Sequence, residues 1–188
     1  MARGGMWMKQ RKHLILDLLD GHRLLALATN RPDGWPHVTS VGYVNDGFLV
    51  YCFIASNSQK HANIRRDDRV SAAISSDALK PLDIKGLSFT GRAAAVEDPR
   101  EFDHVSRLRL ARYPEYAEIS PKEATNGGAR MLPQPPSPAV VLLRITPEVF
   151  SLVDYSKGFG HSDIVAFSDS DLDVHIASLA HRWDGQSP

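Results

Sequence analysis

The sequence has little cysteine, no net charge and no long hydrophobic run. Cys52 is the only cysteine among 188 residues, so a disulfide within the chain is excluded. Lys and Arg together number 22, as do Asp and Glu, so no overall field attracts the chain to nucleic acid or to an anionic membrane. No apolar run approaches the roughly 20 residues that span a bilayer, and the basic start does not continue as a signal peptide. We expect a cytoplasmic protein with no nucleic-acid or membrane partner.

Familiar motifs for metal binding and nucleophilic catalysis are also missing. The eight histidines show neither a His-Glu-x-x-His nor a Cys-x-x-Cys spacing, so we predict no metal site. No Ser/His/Asp triad and no glycine-rich dinucleotide motif after a strand can be identified.

The pattern of apolar residues predicts one domain, 1–188, that is mainly β within the α+β class. The residues before 23 form a helical N-terminal region (1–22), and 113–138 is a long loop rich in Pro and Gly, for which we consider a lid or a dimer arm. Such short-connected strands favour a closed or partly closed antiparallel barrel of six to seven strands with peripheral helices. Strands are predicted at 23–29, 36–44, 48–54, 70–75, 86–96, 139–145 and 148–154.

Turn and capping signals refine this outline. Asn45-Asp46-Gly47 predicts a hairpin turn that completes a three-stranded meander, and Pro147 separates the last two strands. Asp98, Pro99 and Glu101 are typical of a helix start, with a cap, a proline in the first turn and a reciprocal acid. Helices are predicted at 9–20, from Ser58, from Asp98 and at 171–183.

The segment after the strand 48–54 predicts a phosphate site. A small polar turn, 55–57, leads into a helix that opens with Ser58, Gln59 and Lys60. Hydroxyl, amide and ammonium donors thus gather at the positive end of a helix dipole, which favours a phosphorylated ligand. The alternative is a solvated lysine on a helix that is capped by Asn57 or Ser58.

Three stretches in this order resemble the pyridoxamine 5′-phosphate oxidase-like, FMN-binding split-barrel superfamily. They are LALATNRPDGWPHVTSVGYVNDGFLVYCF, SQKHANIRRDDRVSAAI and LSFTGRAAAVEDP. The resemblance covers about 10–112, with a looser tail through Tyr155. It implies a split antiparallel barrel and a homodimer that holds FMN, or in some branches a deazaflavin, at the subunit interface.

The resemblance also implies which positions contact the cofactor. The phosphate-binding helix start corresponds to Ser58, Gln59 and Lys60. The positions that contact the ring and the ribityl chain correspond to Thr39, Ser40, Val41, Gly42, Phe53 and Ile54. The ring-edge position corresponds to Lys85 or Gly86. The segment 155–161 follows the last strand, and it is either a glycine-rich turn or a tail that brings Tyr155, Lys157 and His161 to the partner's cofactor.

The chain departs from the true pyridoxamine phosphate oxidases at two of these positions. Thr39 and Gln59 stand where those enzymes carry arginines, and their C-terminal substrate-phosphate motif has no counterpart here. The vitamin-phosphate reaction is therefore not expected, and phosphate affinity depends mainly on Lys60.

The sequence thus predicts an FMN-binding flavoprotein that transfers hydride or electrons between the flavin and a small organic molecule. Three alternatives stay open. A deazaflavin-dependent reductase needs further cations in the groove, from Arg23, Arg92 or Lys85. A haem-binding or haem-degrading relative needs an axial ligand, for which His161 is the candidate, and a non-catalytic flavin-binding protein needs neither.

Overall fold

The computed structural model describes residues 2–76, 78–115 and 137–166, with side chains from residue 10 onward. The predicted last helix and most of the 113–138 loop lie outside these ranges. Within these ranges the chain forms three α-helices, α1 (Ala2–Gly21), α2 (Gln59–Arg66) and α3 (Pro99–Arg112). The same ranges hold eight strands, β1 (Leu24–Asn30), β2 (Pro36–Gly42), β3 (Val44–Asp46), β4 (Leu49–Ala55), β5 (Arg69–Ser75), β6 (Lys85–Ala95), β7 (Val140–Asp154) and β8 (Ser162–Ala166).

All the strands belong to one antiparallel sheet that curls into a half-barrel. Seven of them follow the order β2-β1-β5-β6-β7-β4-β3, and β8 pairs with β7. The long strand β7 pairs with two strands along one edge: its first half pairs with β4 and its second half with β8. The predicted α+β fold with an antiparallel split barrel is therefore confirmed, with β8 as an additional strand. No described helix is both long and apolar enough to cross a membrane.

The strand predicted at 36–44 bends, and this bend shapes the barrel. β2 pairs with β1 up to Gly42, and the chain then passes through Tyr43 into β3 at the opposite end of the sheet. Tyr43 is 2% exposed, and its hydroxyl donates to the Leu19 carbonyl at 2.7 Å. The predicted three-stranded meander is wrong, because β4 pairs with β3 and β7 and not with β2. The hairpin turn itself is present, with Gly47 at a φ of 58°.

The sequence predicts a break between two strands at Pro147, but the structure has one continuous strand there, β7. The register between β6 and β7 shifts at Gly91, which stands opposite Pro147. Such a bulge accommodates a residue that has no N–H to donate, so β7 continues without a break. Gly91 is needed there because a Cβ would lie 2.3 Å from the Thr146 carbonyl oxygen.

Two apolar clusters hold the molecule together. The larger one fills the barrel, where Phe150 lies 5.4 Å from Phe89 and 6.2 Å from Phe48 between ring centroids. The smaller one seats α3 on the outside of β3, β4 and β7 through Val105 and Tyr113. α3 thus has a fixed position beside the open end of the barrel.

Helix α3 begins as predicted, but its first acidic residue has another role. Asp98 is the N-cap and accepts from the Arg100 amide at 2.8 Å. Glu101 does not return to the cap; it is 4% exposed and accepts from Arg144 at 3.0 Å and from the Tyr51 hydroxyl at 3.0 Å. Burial and the Glu101 charge together raise the pKa of Tyr51. This buried network attaches the helix to the sheet.

Candidate functional site

A cavity of about 570 Å³ lies where the sheet is split, between β2 and β4. Its size is typical of small-molecule sites, which range from about 300 to 1,000 Å³. The end of β2, the end of β4, helix α2 and the C-terminal end of α3 each contribute to its wall. The lining residues are Arg23, Leu24, Ser40, Val41, Gly42, Tyr43, Val44, Phe53, Ile54, Ala55, Lys60, Arg109, Tyr113 and Glu115.

Six of the residues predicted from the sequence meet in this cavity. They come from three separate stretches of the chain, which the bend after Gly42 brings together. Gly42 leaves the backbone of β2 open, since a Cβ there would meet nothing within 4 Å. The six are Ser40, Val41, Gly42, Phe53, Ile54 and Lys60.

Lys60 is held in the first turn of α2, which has a well-formed start. Ser58 is the N-cap; its hydroxyl donates to the Ala55 carbonyl at 2.7 Å and accepts from the His61 amide at 3.4 Å. The His61 ring donates to the Ser56 carbonyl at 2.6 Å. Among the described residues, no carboxylate lies within salt-bridge distance of the Lys60 ammonium group. Burial raises the pKa of the nearby Cys52 thiol to about 12, and the charge of Lys60 opposes this rise.

The remaining residues at the helix start serve the packing of α2. Gln59 donates to Asn63 at 2.9 Å, and Asn63, which is 1% exposed, donates to the Thr29 hydroxyl at 3.0 Å. This chain of amide contacts fixes α2 on β1. Ser58 and Gln59 therefore form hydrogen bonds within the start of the helix. Of the three residues predicted to bind phosphate, Lys60 is the one that lines the cavity.

Thr39 is not among the residues that line the cavity. It pairs in register with Leu27, and neighbouring residues of a strand face opposite sides, so Thr39 faces the barrel interior when Ser40 faces outward. Its hydroxyl oxygen is buried and has no hydrogen-bond partner among the residues that the structure describes. Thr39 thus lies next to the site without lining it.

The wall formed by α3 was missed by the sequence analysis. Arg109 lies over the Phe53 ring, with 4.7 Å between the guanidinium carbon and the ring centroid. Tyr113, one helical turn later, donates to the Tyr43 carbonyl at 2.7 Å and so ties α3 to the bend between β2 and β3. The i, i+4 spacing places both residues on one helix face. Only the packing of α3 shows that this face meets the cavity.

Arg23 closes the same side of the cavity. Its guanidinium lies 5.1 Å from the centre of the Tyr113 ring and 3.0 Å from a carboxylate oxygen of Glu115. Glu115 is the one acidic residue among the described lining residues, and it is paired with Arg23. The cationic groups of Arg23, Lys60 and Arg109 therefore outnumber the acidic groups, which suits an anionic ligand.

Four predicted site residues lie elsewhere in the chain's fold, at the end of β7. Lys85 pairs in register with Asp154, and the Tyr155 amide donates to the Ile84 carbonyl at 3.0 Å. Lys157 lies 3.5 Å from Asp154, whose pKa is lowered mainly by the Ser156 hydroxyl and also by Lys157 and Lys85.

His161 belongs to the same end of the molecule. Its ring lies 3.3 Å from Asp163, and hydrogen bonds from Arg11 and His161 keep the pKa of Asp163 below its usual value. The cavity lining does not include Lys85, Tyr155, Lys157 or His161, so their contact with a cofactor stays a prediction.

Comparison with known proteins agrees with this architecture. The family model for pyridoxamine 5′-phosphate oxidase matches residues 12–154. No curated protein matches the chain. Three solved structures show what the chain is similar to.

A conserved hypothetical protein, Rv2991 from Mycobacterium tuberculosis, is 28% identical with a TM-score of 0.61, over 84% of this chain and 92% of that one. A putative pyridoxamine 5′-phosphate oxidase from Listeria innocua is 20% identical with a TM-score of 0.57, over 76% and 98%. HutZ, the haem storage protein of Vibrio cholerae, is 20% identical with a TM-score of 0.54, over 71% and 87%. At these identities the last two matches show the fold alone.

Proposed function

The chain belongs to the pyridoxamine 5′-phosphate oxidase family, and we propose that it binds FMN in the cavity between β2 and β4 and acts as an oxidoreductase on a small organic molecule. The observation that carries the proposal is the position of Lys60. Its ammonium group has no acidic partner among the described residues and lines a cavity beside the open backbone of Gly42. An unpaired cation next to exposed strand backbone suits a ligand that combines a phosphate with a flat polar ring.

The donor set of the cavity fits FMN in three respects. Lys60 supplies a charge-assisted hydrogen bond to the phosphate, at the positive end of α2. The backbone of Ser40 to Gly42 offers N–H and C=O groups to the polar edge of the ring. Phe53, with Arg109 above it, provides an aromatic and cationic surface that keeps water from one side of the cavity.

When bound, the flavin ring would supply the hydride or electron transfer itself. The described lining residues contain no histidine or cysteine, and the cavity needs no protein nucleophile for such chemistry. The chain's own residues then bind, orient and shield the cofactor. Because Thr39 and Gln59 stand where true pyridoxamine phosphate oxidases have arginines, the proposed substrate is not pyridoxamine phosphate.

We extend the proposal to a homodimer, which the outer face of the sheet supports. Small side chains from three strands, Ala26, Ala73 and Ser88, lie side by side there. Leu24 and Val38 remain 62% and 58% exposed on the same β1–β2 hairpin. Such a face suits a second copy, which would bring Lys85, Tyr155, Lys157 and His161 towards the first copy's cofactor. Light scattering that gives the mass of one chain at micromolar concentration would contradict the dimer.

The decisive experiment for the cofactor is a titration of the purified protein with FMN, followed by absorbance and by quenching of flavin fluorescence. We expect saturation at one FMN per chain and a two-banded flavin spectrum after gel filtration. Reduction of the bound flavin, followed by screening of acceptors, then tests for turnover. No saturable binding would refute the proposal, and binding without turnover by any acceptor would favour a non-catalytic flavin-binding protein.

Haem is the second candidate, because a structural neighbour is a haem storage protein. The predicted axial ligand, His161, is not in the cavity lining of a single protomer and pairs with Asp163. A haem site would therefore need His161 from the partner. A sharp Soret band that His161→Ala removes would support haem over FMN.

A deazaflavin remains a third candidate for the same cavity. Three candidate cations were named for its longer acidic tail. Arg23 lines the cavity, whereas Arg92 lines another groove and Lys85 lies at the end of β7. A single violet-shifted absorption band would favour this cofactor. Competition between FMN and a deazaflavin for one site would rank the two directly.

A further inference from the structure

A second groove, of about 720 Å³, lies at the other end of the β1–β2 hairpin and shares no lining residue with the first cavity. It is bordered by the turn between β1 and β2, the turn between α2 and β5, and the bulge between β6 and β7. We call it the arginine groove because four arginines line it: Arg31, Arg66, Arg69 and Arg92.

The floor of the arginine groove is a row of small residues. Ala28 pairs in register with Ser71, and Ser71 pairs with Thr90, so the three side chains cross three neighbouring strands in one line. The hydroxyls of Ser71 and Thr90 are exposed there. A ligand can thus approach the sheet closely and find hydroxyl donors as well as guanidinium groups.

Three of the four arginines are held in place by acids, and the first of these, Arg31, donates to Asp33 at 2.5 Å. Asp67 accepts from Arg69 at 2.9 and 2.8 Å, and these hydrogen bonds keep the pKa of Asp67 well below its usual value. Arg92 donates to Asp68 at 2.8 Å and to Glu148 at 3.1 Å. A guanidinium has five N–H donors, so each of these arginines keeps donors for a ligand after binding its acid.

Arg66 is different from its neighbours. Its described hydrogen bond runs to the Asn30 carbonyl at 2.6 Å, and no described carboxylate forms a salt bridge with it. The two acids that follow α2 are engaged by other arginines, since Asp67 binds Arg69 and Asp68 binds Arg92. The positive charge of Arg66 is therefore available to the groove.

We propose that the arginine groove is a binding site for a small ligand that carries two or more phosphate groups. Guanidinium groups bind phosphate through paired N–H donors, and donors on several sides of the groove call for more than one anionic group. Asp67 and Glu148 also line the groove, and their role is to orient Arg69 and Arg92. The site is separate from the proposed cofactor cavity and does not depend on what that cavity binds.

The test is calorimetric titration of inorganic tripolyphosphate into the full chain carrying Lys60→Ala, which removes the cation of the first cavity. We expect saturable binding at one site per chain that weakens as salt is added. Arg66→Gln and Ser71→Asp are expected to weaken it roughly tenfold or more, by loss of a cation and by addition of a like charge. The matched controls are Arg65→Gln, on the same helix outside the groove, and Ser75→Asp, on the same exposed face of β5.

Two results would overturn the proposal. One is the absence of saturable tripolyphosphate binding to the Lys60→Ala protein at low salt. The other is equal affinity in the groove variants and in their controls, with melting temperatures that show all of them to be folded. Because the titration lacks FMN, its outcome is independent of whether the first cavity binds flavin.

Discussion

Lys60→Ala is expected to weaken FMN binding by roughly 10- to 100-fold, the effect of losing a charge-assisted hydrogen bond worth about 1.5–3 kcal/mol. The fold should be unaffected. Lys60 is in the first turn of α2, where a cation opposes the helix dipole and alanine is a better helix former. The measurement is the dissociation constant for FMN by fluorescence quenching, with the melting temperature of each variant recorded alongside.

Two further variants separate charge from geometry. Arg65→Ala removes a cation from the same helix outside the cavity, and it should leave FMN affinity within about twofold of the parent. Lys60→Arg keeps the charge and should recover part of the affinity. An unchanged dissociation constant in Lys60→Ala would show that this lysine does not bind the cofactor. Lost turnover in that variant, with FMN occupancy restored by excess cofactor, would assign it a part in the reaction as well.

Phe150→Ala is expected to have the largest effect on stability, about 3–5 kcal/mol. Phe150 is 0% exposed and contacts the rings of Phe48 and Phe89 at the centre of the barrel. Removing the ring loses its burial and leaves a cavity that rigid strands on all sides cannot fill. For a chain of this length the melting temperature should fall by roughly 6 to 20 °C.

The stability measurement is chemical denaturation at a fixed protein concentration, since association would add to the apparent free energy of unfolding. Leu79→Ala is the matched control because Leu79 is fully exposed between β5 and β6, and we expect a change of less than about 0.5 kcal/mol. Phe150→Leu should lie between the two. A loss of less than about 1 kcal/mol in Phe150→Ala would mean that the barrel core is not packed as described.

The cavity wall formed by α3 depends on contacts that lie behind it. Glu101 links the start of the helix to Arg144 and Tyr51, and Tyr113 links its end to the bend at Tyr43. Both ends are thus tied to the sheet by buried hydrogen bonds. This two-point attachment explains how a helix on the outside of the barrel can present Arg109 to the site at a fixed position.

Much of the local structure follows from the sequence. The alternation of apolar residues predicted nearly every strand, Ser58 and Asp98 were placed at helix starts where they cap α2 and α3, and Gly47 was placed in a turn with positive φ. Motif order indicated the family, and six of the residues named from it line one cavity. These features depend on neighbours within a few residues, which periodicity and capping rules describe well.

Other features could be decided only by the tertiary structure. The sequence predicted one strand at 36–44, but the chain bends at Tyr43 and divides it into β2 and β3. It also predicted a break at Pro147, but the bulge at Gly91 lets β7 continue through that residue. Glu101 looked like a capping residue until Arg144, 43 positions away, proved to be its partner.

The part of the cavity wall that α3 forms was also decided by the tertiary structure. Arg109 and Tyr113 carry no motif, and they reach the site because α3 packs against strands that are distant in the chain. The sequence by itself determined the elements, their caps and the cation of Lys60. The tertiary structure decided which elements meet, because strand pairing and helix packing depend on long-range contacts whose partners no local pattern specifies.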